Sequence, residues 1–286
     1  MRVTYFGVRG SCPCSADRYR RYGGNTSCVL VEVDGEPPLI IDLGTGLRAL
    51  GEHLRAPLAA VVTPPFAANV LLSHLHYDHV LGMPFFAPMR HRDSVVDVYG
   101  PAQDGGSLGE TLASMVRPPF FPVHMAQFEG TFRFHDLDGS DEFALGGIKV
   151  KVRPIHHVGH TLGFRLEVDG QVLAYLSDHQ APLDLEAVEP TVLELCDGAD
   201  LLLHDAQYTE EEFAALPDWG HSTANYAVHV AREAGVKRLT LFHHDPAHSD
   251  DTIDRMLEEA RTRAAPSPLL EVTAATEGTS VDLGEI

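Results

Sequence analysis

Short apolar runs recur along the 286-residue chain and predict β-strands. Some runs are continuous and others alternate with polar residues; they cover Val3–Phe6, Cys28–Val33, Leu39–Asp42, Asn69–Leu72, Val95–Tyr99, Phe132–Phe134, Ile148–Val152, Gly163–Val168, Val172–Leu176, Leu201–Leu203 and Leu239–Phe242. Asp169-Gly170 lies between two of these runs and predicts a hairpin turn. The Pro-rich segment Pro57–Phe66 predicts a surface loop.

Segments with helical periodicity lie between and after these strands. They predict helices over Leu47–Leu54, Leu108–Val116, Glu210–Leu216, Ala224–Ala234 and Asp251–Arg263. Ser222 or Thr223 is suited to cap the fourth helix. The pattern favours an α/β fold in which two β-sheets pack face to face under outer helices. Because the sequence contains no repeat and no clear linker, we expect a single domain over residues 1–286.

Composition indicates an ordinary globular protein, with 44% hydrophobic and 22% charged residues. No apolar run approaches the roughly 20 residues that span a bilayer. Met1–Gly7 enters a strand pattern directly and offers no signal peptide, so we expect a cytoplasmic protein with no membrane partner. Cys12 and Cys14 lack the paired spacing of a zinc ribbon, and we expect reduced loop thiols.

The formal net charge is −20, from 41 acidic and 21 basic side chains. Such a surface repels a long polyanion and disfavours tRNA as a partner. It does not exclude a small phosphate ester, because bound metal ions supply positive charge locally.

The run Asn69–Leu72 ends in a dense group of potential metal ligands. Side chains alternate in an extended segment, so we expect His74, His76 and Asp78 to point the same way, while His79 begins a turn or helix and lies at a neighbouring position. Three imidazoles and a carboxylate at a strand end suit a divalent ion such as zinc. A single loop histidine carries no such meaning, but this spacing predicts a metal site.

Further potential ligands follow other predicted strands. Asp178 follows Val172–Leu176, His243 follows Leu239–Phe242, and three histidines follow Ile148–Val152, namely His156, His157 and His160. In an extended segment His156 and His157 face opposite directions, so only one of them can look into a shared site.

The segment Ser73-His74-Leu75-His76-Tyr77-Asp78-His79 resembles the signature of the metallo-β-lactamase superfamily of binuclear metallohydrolases. The other clusters follow in the family's order, and Asp42-Leu43-Gly44-Thr45-Gly46 is similar to its first motif. The resemblance implies the family's αβ/βα sandwich, in which two facing mixed β-sheets carry helices on their outer faces. It also implies that Asp42 organises the loops without contacting metal.

The resemblance further implies two divalent metal ions, with Zn2+ expected and Mn2+ or Fe2+ as alternatives. Of the three histidines after Ile148–Val152, it selects His157 as the ligand, with His160 facing the substrate pocket. The implied ligands are His74, His76 and His157 for one ion, Asp78, His79 and His243 for the other, and Asp178 between them.

Two more segments resemble the phosphodiesterase branch of the superfamily, which includes ribonuclease Z. Leu203–Tyr208 and Gly220–Ala224 are similar to the paired motifs His-Glu-Ala-Thr and His-Ser-Thr, with Asp205 in the place of the usual Glu. The resemblance implies that His221, oriented by Asp205, stabilises phosphoryl charge or protonates the leaving oxygen. The sequence shows no counterpart of the basic, Gly-rich arm of ribonuclease Z.

We therefore expect a binuclear metal-dependent hydrolase in which a metal-bridging hydroxide cleaves a small phosphodiester, such as a cyclic nucleotide. The expected catalytic residues are Asp78, His221 and Asp205, and the expected substrate contacts are His160, Tyr77 and Phe121. The alternatives are a metal-dependent carboxylic ester, thioester or lactone hydrolase of the same fold, and a non-catalytic binding module. The sequence leaves the oligomeric state open, with a homodimer among the options.

Overall fold

The computed structural model describes residues 1–55, 65–265, 267 and 270–285. All but the last two residues of the predicted loop Pro57–Phe66 lie outside this part of the chain. The described residues form two β-sheets of seven strands each. None of the helices in these ranges is both long and apolar enough to cross a bilayer.

The first sheet is built mainly from the N-terminal half of the chain. Its strands are β1 (Arg2–Gly7), β2 (Cys28–Glu32), β3 (Leu39–Ile41), β4 (Ala67–Leu71), β5 (Val95–Pro101), β6 (Thr131–Leu137) and β14 (Ser280–Asp282). They lie in the order β14-β1-β2-β3-β4-β5-β6. Pairing is antiparallel from β14 to β3 and parallel from β3 to β6. Parallel neighbours end at the same edge of the sheet, so the loops after β3 and β4 are adjacent.

The second sheet repeats this plan. Its strands are β7 (Glu142–Leu145), β8 (Ile148–Pro154), β9 (Leu162–Val168), β10 (Gln171–Leu176), β11 (Leu201–Asp205), β12 (Arg238–Phe242) and β13 (Glu271–Ala274). Pairing is antiparallel from β7 to β10 and parallel from β10 to β13. Asp169 and Gly170 join β9 to β10 with φ of 50° and 77°, as a type I′ hairpin turn requires.

Helices cover the outer face of each sheet. They are α1 (Gly46–Arg55), α2 (Tyr77–Val80), α3 (Leu108–Met115), α4 (Pro190–Cys196), α5 (Glu210–Ala215), α6 (Ala224–Glu233) and α7 (Asp250–Ala264). α1 and α3 pack on the first sheet, and α4, α6 and α7 pack on the second. Between the sheets lies a third apolar layer, with Tyr5 and Ile41 from one sheet and Phe164 and Phe242 from the other. The predicted sandwich of two mixed sheets under outer helices is confirmed.

The sequence pattern located the central strands and missed elements with weaker patterns. β7, β13 and β14 were not predicted, and each lies at an edge of its sheet, where fewer residues are buried. α4 was also missed because it is short, and α2 begins at Tyr77, two residues before the turn or helix expected from His79. Thr223, one of the two cap candidates, caps α6 by accepting a hydrogen bond from the Tyr226 backbone. The single-domain assignment stays a prediction.

Candidate metal centre

The loops that follow strands of both sheets bring potential metal-ligating side chains together at one place. Among the described residues, three groups of four have donor atoms that all lie within 4.8 Å of one another. The first group is His74, His76, His157 and Asp178, the second is Asp78, His79, Asp178 and His243, and the third is Asp178, Asp205, His221 and His243. Asp178 belongs to all three groups, and the first two are the sets that the family resemblance implies.

His74 and His76 point towards the same ligand group, as expected for an extended segment, but Asp78 does not. His76 has extended backbone and Tyr77 begins α2, so Asp78 and His79 lie on a helical turn. The turn carries Asp78 away from the first group and towards the second, where its Oδ2 lies 3.1 Å from Nε2 of His243. A strand pattern alone could not reveal this change of direction.

The donor set fits divalent cations. Among the described residues, the buried Nε2 atoms of His74 and His79 have no hydrogen-bond partner, although they lie 3.7 Å and 3.1 Å from the Asp178 carboxylate oxygens. Buried imidazole nitrogens that face a carboxylate without a hydrogen-bond partner have the chemistry of a metal site.

The electrostatics of the centre favour positive charge. Burial lowers the pKa of His74 well below its usual range. Burial also acts to lower the pKa of His243, but the Asp178 and Asp78 carboxylates outweigh it and raise that pKa to about 9. The same two carboxylates outweigh burial at His79 and raise its pKa well above the usual range. The buried carboxylates therefore attract cations, and divalent ions satisfy that demand.

Asp42 connects the loops behind the centre. It is fully buried, its φ is 61°, and its Oδ1 accepts a hydrogen bond from the Ser73 backbone at 2.7 Å. Its Oδ2 accepts from Nδ1 of His79 at 2.7 Å and from the Tyr175 hydroxyl at 2.7 Å. The bond from Nδ1 leaves Nε2 of His79 directed at Asp78 and Asp178. Asp42 thus has the organising position that the resemblance implies.

Three supporting residues were not predicted. Tyr175 carries no functional signal, because a tyrosine in a buried strand is ordinarily part of the core. The Gly220 carbonyl accepts a hydrogen bond from Nδ1 of His157 at 2.7 Å, which orients that ring. The Ser11 backbone donates to Oδ2 of Asp78 at 2.6 Å, and Ser11 has the unusual φ of 56° for a residue with a side chain.

His221 and Asp205 form a pair beside the second ligand group. Nδ1 of His221 donates to Oδ2 of Asp205 at 2.7 Å. The other oxygen of Asp205 accepts from the backbones of Gln207 and Ser222, both at 3.0 Å. The His221 ring stacks on His243 with centroids 5.1 Å apart. The shorter Asp, in place of the usual Glu, therefore still reaches the histidine.

A cleft of about 610 Å³ opens onto the ligands, and only some expected substrate contacts line it. Of these contacts Tyr77 does, beside the expected catalytic residue His221 and Trp219. Phe121 lies in an adjoining groove whose wall also includes Tyr77.

The expectation that His160 faces the cleft is wrong. Its imidazole lies 3.6 Å from Asp104 in a separate groove. Gly159, which has a φ of 87°, redirects the chain just before it. His156 is exposed and points towards Glu189, at 4.0 Å.

Comparison with known proteins identifies the family. The model described as "Beta-lactamase superfamily domain" matches residues 39–244. The chain belongs to the metallo-β-lactamase superfamily. It is a hydrolase of this superfamily, and its histidine and aspartate clusters are suited to metal binding.

Several members of the superfamily resemble the chain over nearly its whole length. Ribonuclease Z of Haloarcula marismortui is 24% identical over 309 aligned residues, covering 91% of each chain. The metallo-β-lactamase fold protein YhfI of Bacillus subtilis has a TM-score of 0.70 and 19% identity, covering 98% of each chain. A diphosphatase of the PhnP family has a TM-score of 0.67 and 20% identity, covering 98% of this chain and 97% of its own.

We predict that Tyr175→Phe lowers the free energy of unfolding by about 1.5–3 kcal/mol, because it removes a hydrogen bond to a buried carboxylate. Chemical denaturation measures this loss. The matched control is Tyr5→Phe, which removes a buried hydroxyl whose hydrogen bond to Thr240 is long, at 3.4 Å. An equal loss of unfolding free energy in the two variants would show that the hydrogen bond from Tyr175 to Asp42 adds no stability of its own.

Proposed function

We propose that this hydrolase cleaves a small phosphodiester with the help of two divalent metal ions. The observation that carries the proposal is the hydrogen-bonded pair of His221 and Asp205 next to two ligand groups that share Asp178. A shared carboxylate suits two neighbouring cations, which together can clamp a phosphoryl group. The pair of His221 and Asp205 adds a proton donor, and its motifs resemble those of the phosphodiesterase branch.

In this proposal the two ligand groups hold one ion each. His74, His76 and His157 would hold the first ion, Asp78, His79 and His243 the second, and Asp178 both. Zinc suits this mixture of imidazole and carboxylate, and manganese or iron is the alternative. When bound, such ions stabilise charge on phosphoryl oxygens and activate water at neutral pH.

The role of His221 follows from its orientation. Because Nδ1 donates to Asp205, the opposite nitrogen, Nε2, is the atom left to face the substrate. Asp205 is itself held by two backbone N–H groups, so the carboxylate and the ring it accepts from are fixed in this orientation. His221 then donates its proton to the leaving oxygen as a general acid.

Overall charge supports a small substrate. A net charge of −20 opposes the binding of a long polyanion, whereas a small diester needs only the local charge of the centre. A ribonuclease and a diphosphatase among the similar proteins support a reaction at phosphorus. A cytoplasmic location and a homodimer remain untested predictions.

A substrate panel tests the reaction class. Metal-loaded protein should hydrolyse bis(p-nitrophenyl) phosphate and 2′,3′- or 3′,5′-cyclic nucleotides with a higher kcat/KM than p-nitrophenyl acetate, thioesters or lactones. The physical reason is that two cations and a proton donor match the charge that develops during phosphoryl transfer. A preference for carboxylic esters, thioesters or lactones would contradict the proposal, and no turnover of any ester would favour a binding module.

We predict about two metal ions per chain after reconstitution with zinc, as expected for a two-metal site. His157→Ala should lose one ion, Asp178→Ala should lose the most, and His156→Ala should keep both because His156 is exposed and points away. Elemental analysis of the purified variants measures the stoichiometry. Loss of metal from the His156 variant with full retention by the His157 variant would refute the assignment.

We predict that His221→Ala lowers kcat by ~10²–10⁴ for diesters with a poor leaving group. The loss should be much smaller for a p-nitrophenolate leaving group, which needs no protonation, and metal content should be unchanged. Asp205→Asn should have a similar but weaker effect. Equal damage with good and poor leaving groups would rule out general acid catalysis and leave His221 as an electrostatic contact to the phosphoryl oxygens.

A further inference from the structure

An apolar groove adjoins the candidate catalytic cleft. Its floor is formed by buried side chains of α2, α3 and the residues that follow them, namely Val80, Met83, Leu112 and Val116. Its rim is formed by the exposed side chains of Tyr77, Leu81, Phe85 and Phe120. The volume of about 520 Å³ lies within the range of roughly 300–1,000 Å³ that is usual for small-molecule sites.

Exposed apolar side chains are concentrated at this place. Among the described residues seven large apolar side chains are exposed, and the four of the groove rim are among them. Val158 and Trp219 are two more, and they line the cleft. Only Leu183 lies at neither place. Exposed apolar clusters mark binding surfaces. The position of these six side chains therefore indicates one binding surface that extends over the groove and the cleft.

The groove is physically continuous with the candidate metal ligands. Tyr77 lines both the groove and the cleft. It begins α2, whose next residues are Asp78 and His79, while Val80 forms part of the groove floor. One helical turn therefore presents ligands on one side and an apolar wall on the other. A group in the groove is thereby held at a fixed distance from the reaction centre.

The charges of the two places are complementary to a diester with an apolar group. Asp78, Asp178 and Asp218 line the cleft, so its affinity for an anion depends on bound cations. Among the described residues the groove wall contains no carboxylate, and its one charged side chain there is the cation Arg117. Although the chain has a net charge of −20, the groove is therefore apolar and free of negative charge. It suits an uncharged apolar group whose attached phosphate lies in the cleft.

We propose that the groove binds a large apolar or aromatic ester group of the phosphodiester. Tyr77, Phe85 and Phe120 then determine substrate specificity, with Phe121 packed edge-on against Phe85 at 5.8 Å to support the wall. The inference rests on the proposed phosphodiesterase function and adds the class of substrate to it. Burial of one aromatic group corresponds to a preference of roughly 10- to 100-fold over a small group.

The test compares two substrates with the same leaving group, methyl p-nitrophenyl phosphate and phenyl p-nitrophenyl phosphate. Comparing the phenyl-to-methyl ratio of kcat/KM between proteins cancels the intrinsic reactivity of the esters. The ratio should fall about tenfold in Phe120→Ala and in Phe85→Ala. It should stay at the wild-type value in the control Leu183→Ala, which removes an equally exposed apolar side chain elsewhere. An unchanged ratio in both groove variants would overturn the inference and leave the phosphodiesterase proposal intact.

If the wild-type protein hydrolyses neither diester, the phosphodiesterase proposal fails. A binding measurement then tests the groove by itself. Calorimetry on the metal-loaded full chain should show tighter binding of diphenyl phosphate than of dimethyl phosphate, and Phe120→Ala should reduce that difference about tenfold. Equal binding of the two diesters by the wild type would overturn the inference. Conversion of a dimer into monomers by Phe120→Ala, measured by sedimentation, would also overturn it, because the groove would then be a contact between two copies.

Discussion

The burial of Asp78 and Asp178 is the constraint on which the rest of the structure depends. A buried carboxylate without partners is strongly destabilising, so positive or hydrogen-bonding groups must surround it. His79 and His243 contact these carboxylates, and they come from different sheets. The need to compensate this buried charge therefore explains why strand ends of both sheets come together here. It also explains why histidines lie next to the carboxylates.

The imidazoles of the centre are oriented by a second layer of acceptors. A carboxylate holds Nδ1 of His79, another holds Nδ1 of His221, and the Gly220 carbonyl holds Nδ1 of His157. In each case the proton is placed on Nδ1, and Nε2 is left free to act. The same arrangement is therefore used for two ligands and for the proposed proton donor, and it makes the centre rigid before any ligand binds.

Much of the fold, and the convergence of the candidate ligands, could be predicted because their signals are local in sequence. The central strands are apolar runs, and their ends carry the histidines and aspartates. The supporting contacts could not be predicted, because Tyr175 reaches Asp42 over 133 residues of sequence and Ser11 reaches Asp78 over 67. Backbone turns were the other source of error: α2 redirected Asp78, and Gly159 turned His160 away from the cleft.

Both sheets change from antiparallel to parallel pairing at one strand, β3 in the first and β10 in the second. Two buried carboxylates of the centre, Asp42 and Asp178, follow these two strands. The charged centre is thus anchored to the loops after these strands, while most of the groove is built on two other segments, residues 81–85 and 112–121. Of the groove residues that the structure describes, only Tyr77 and Val80 share a helical turn with Asp78 and His79. Substitutions in the two other segments can alter ligand preference without moving Asp42 or Asp178, so one scaffold can serve different substrates with the same chemistry.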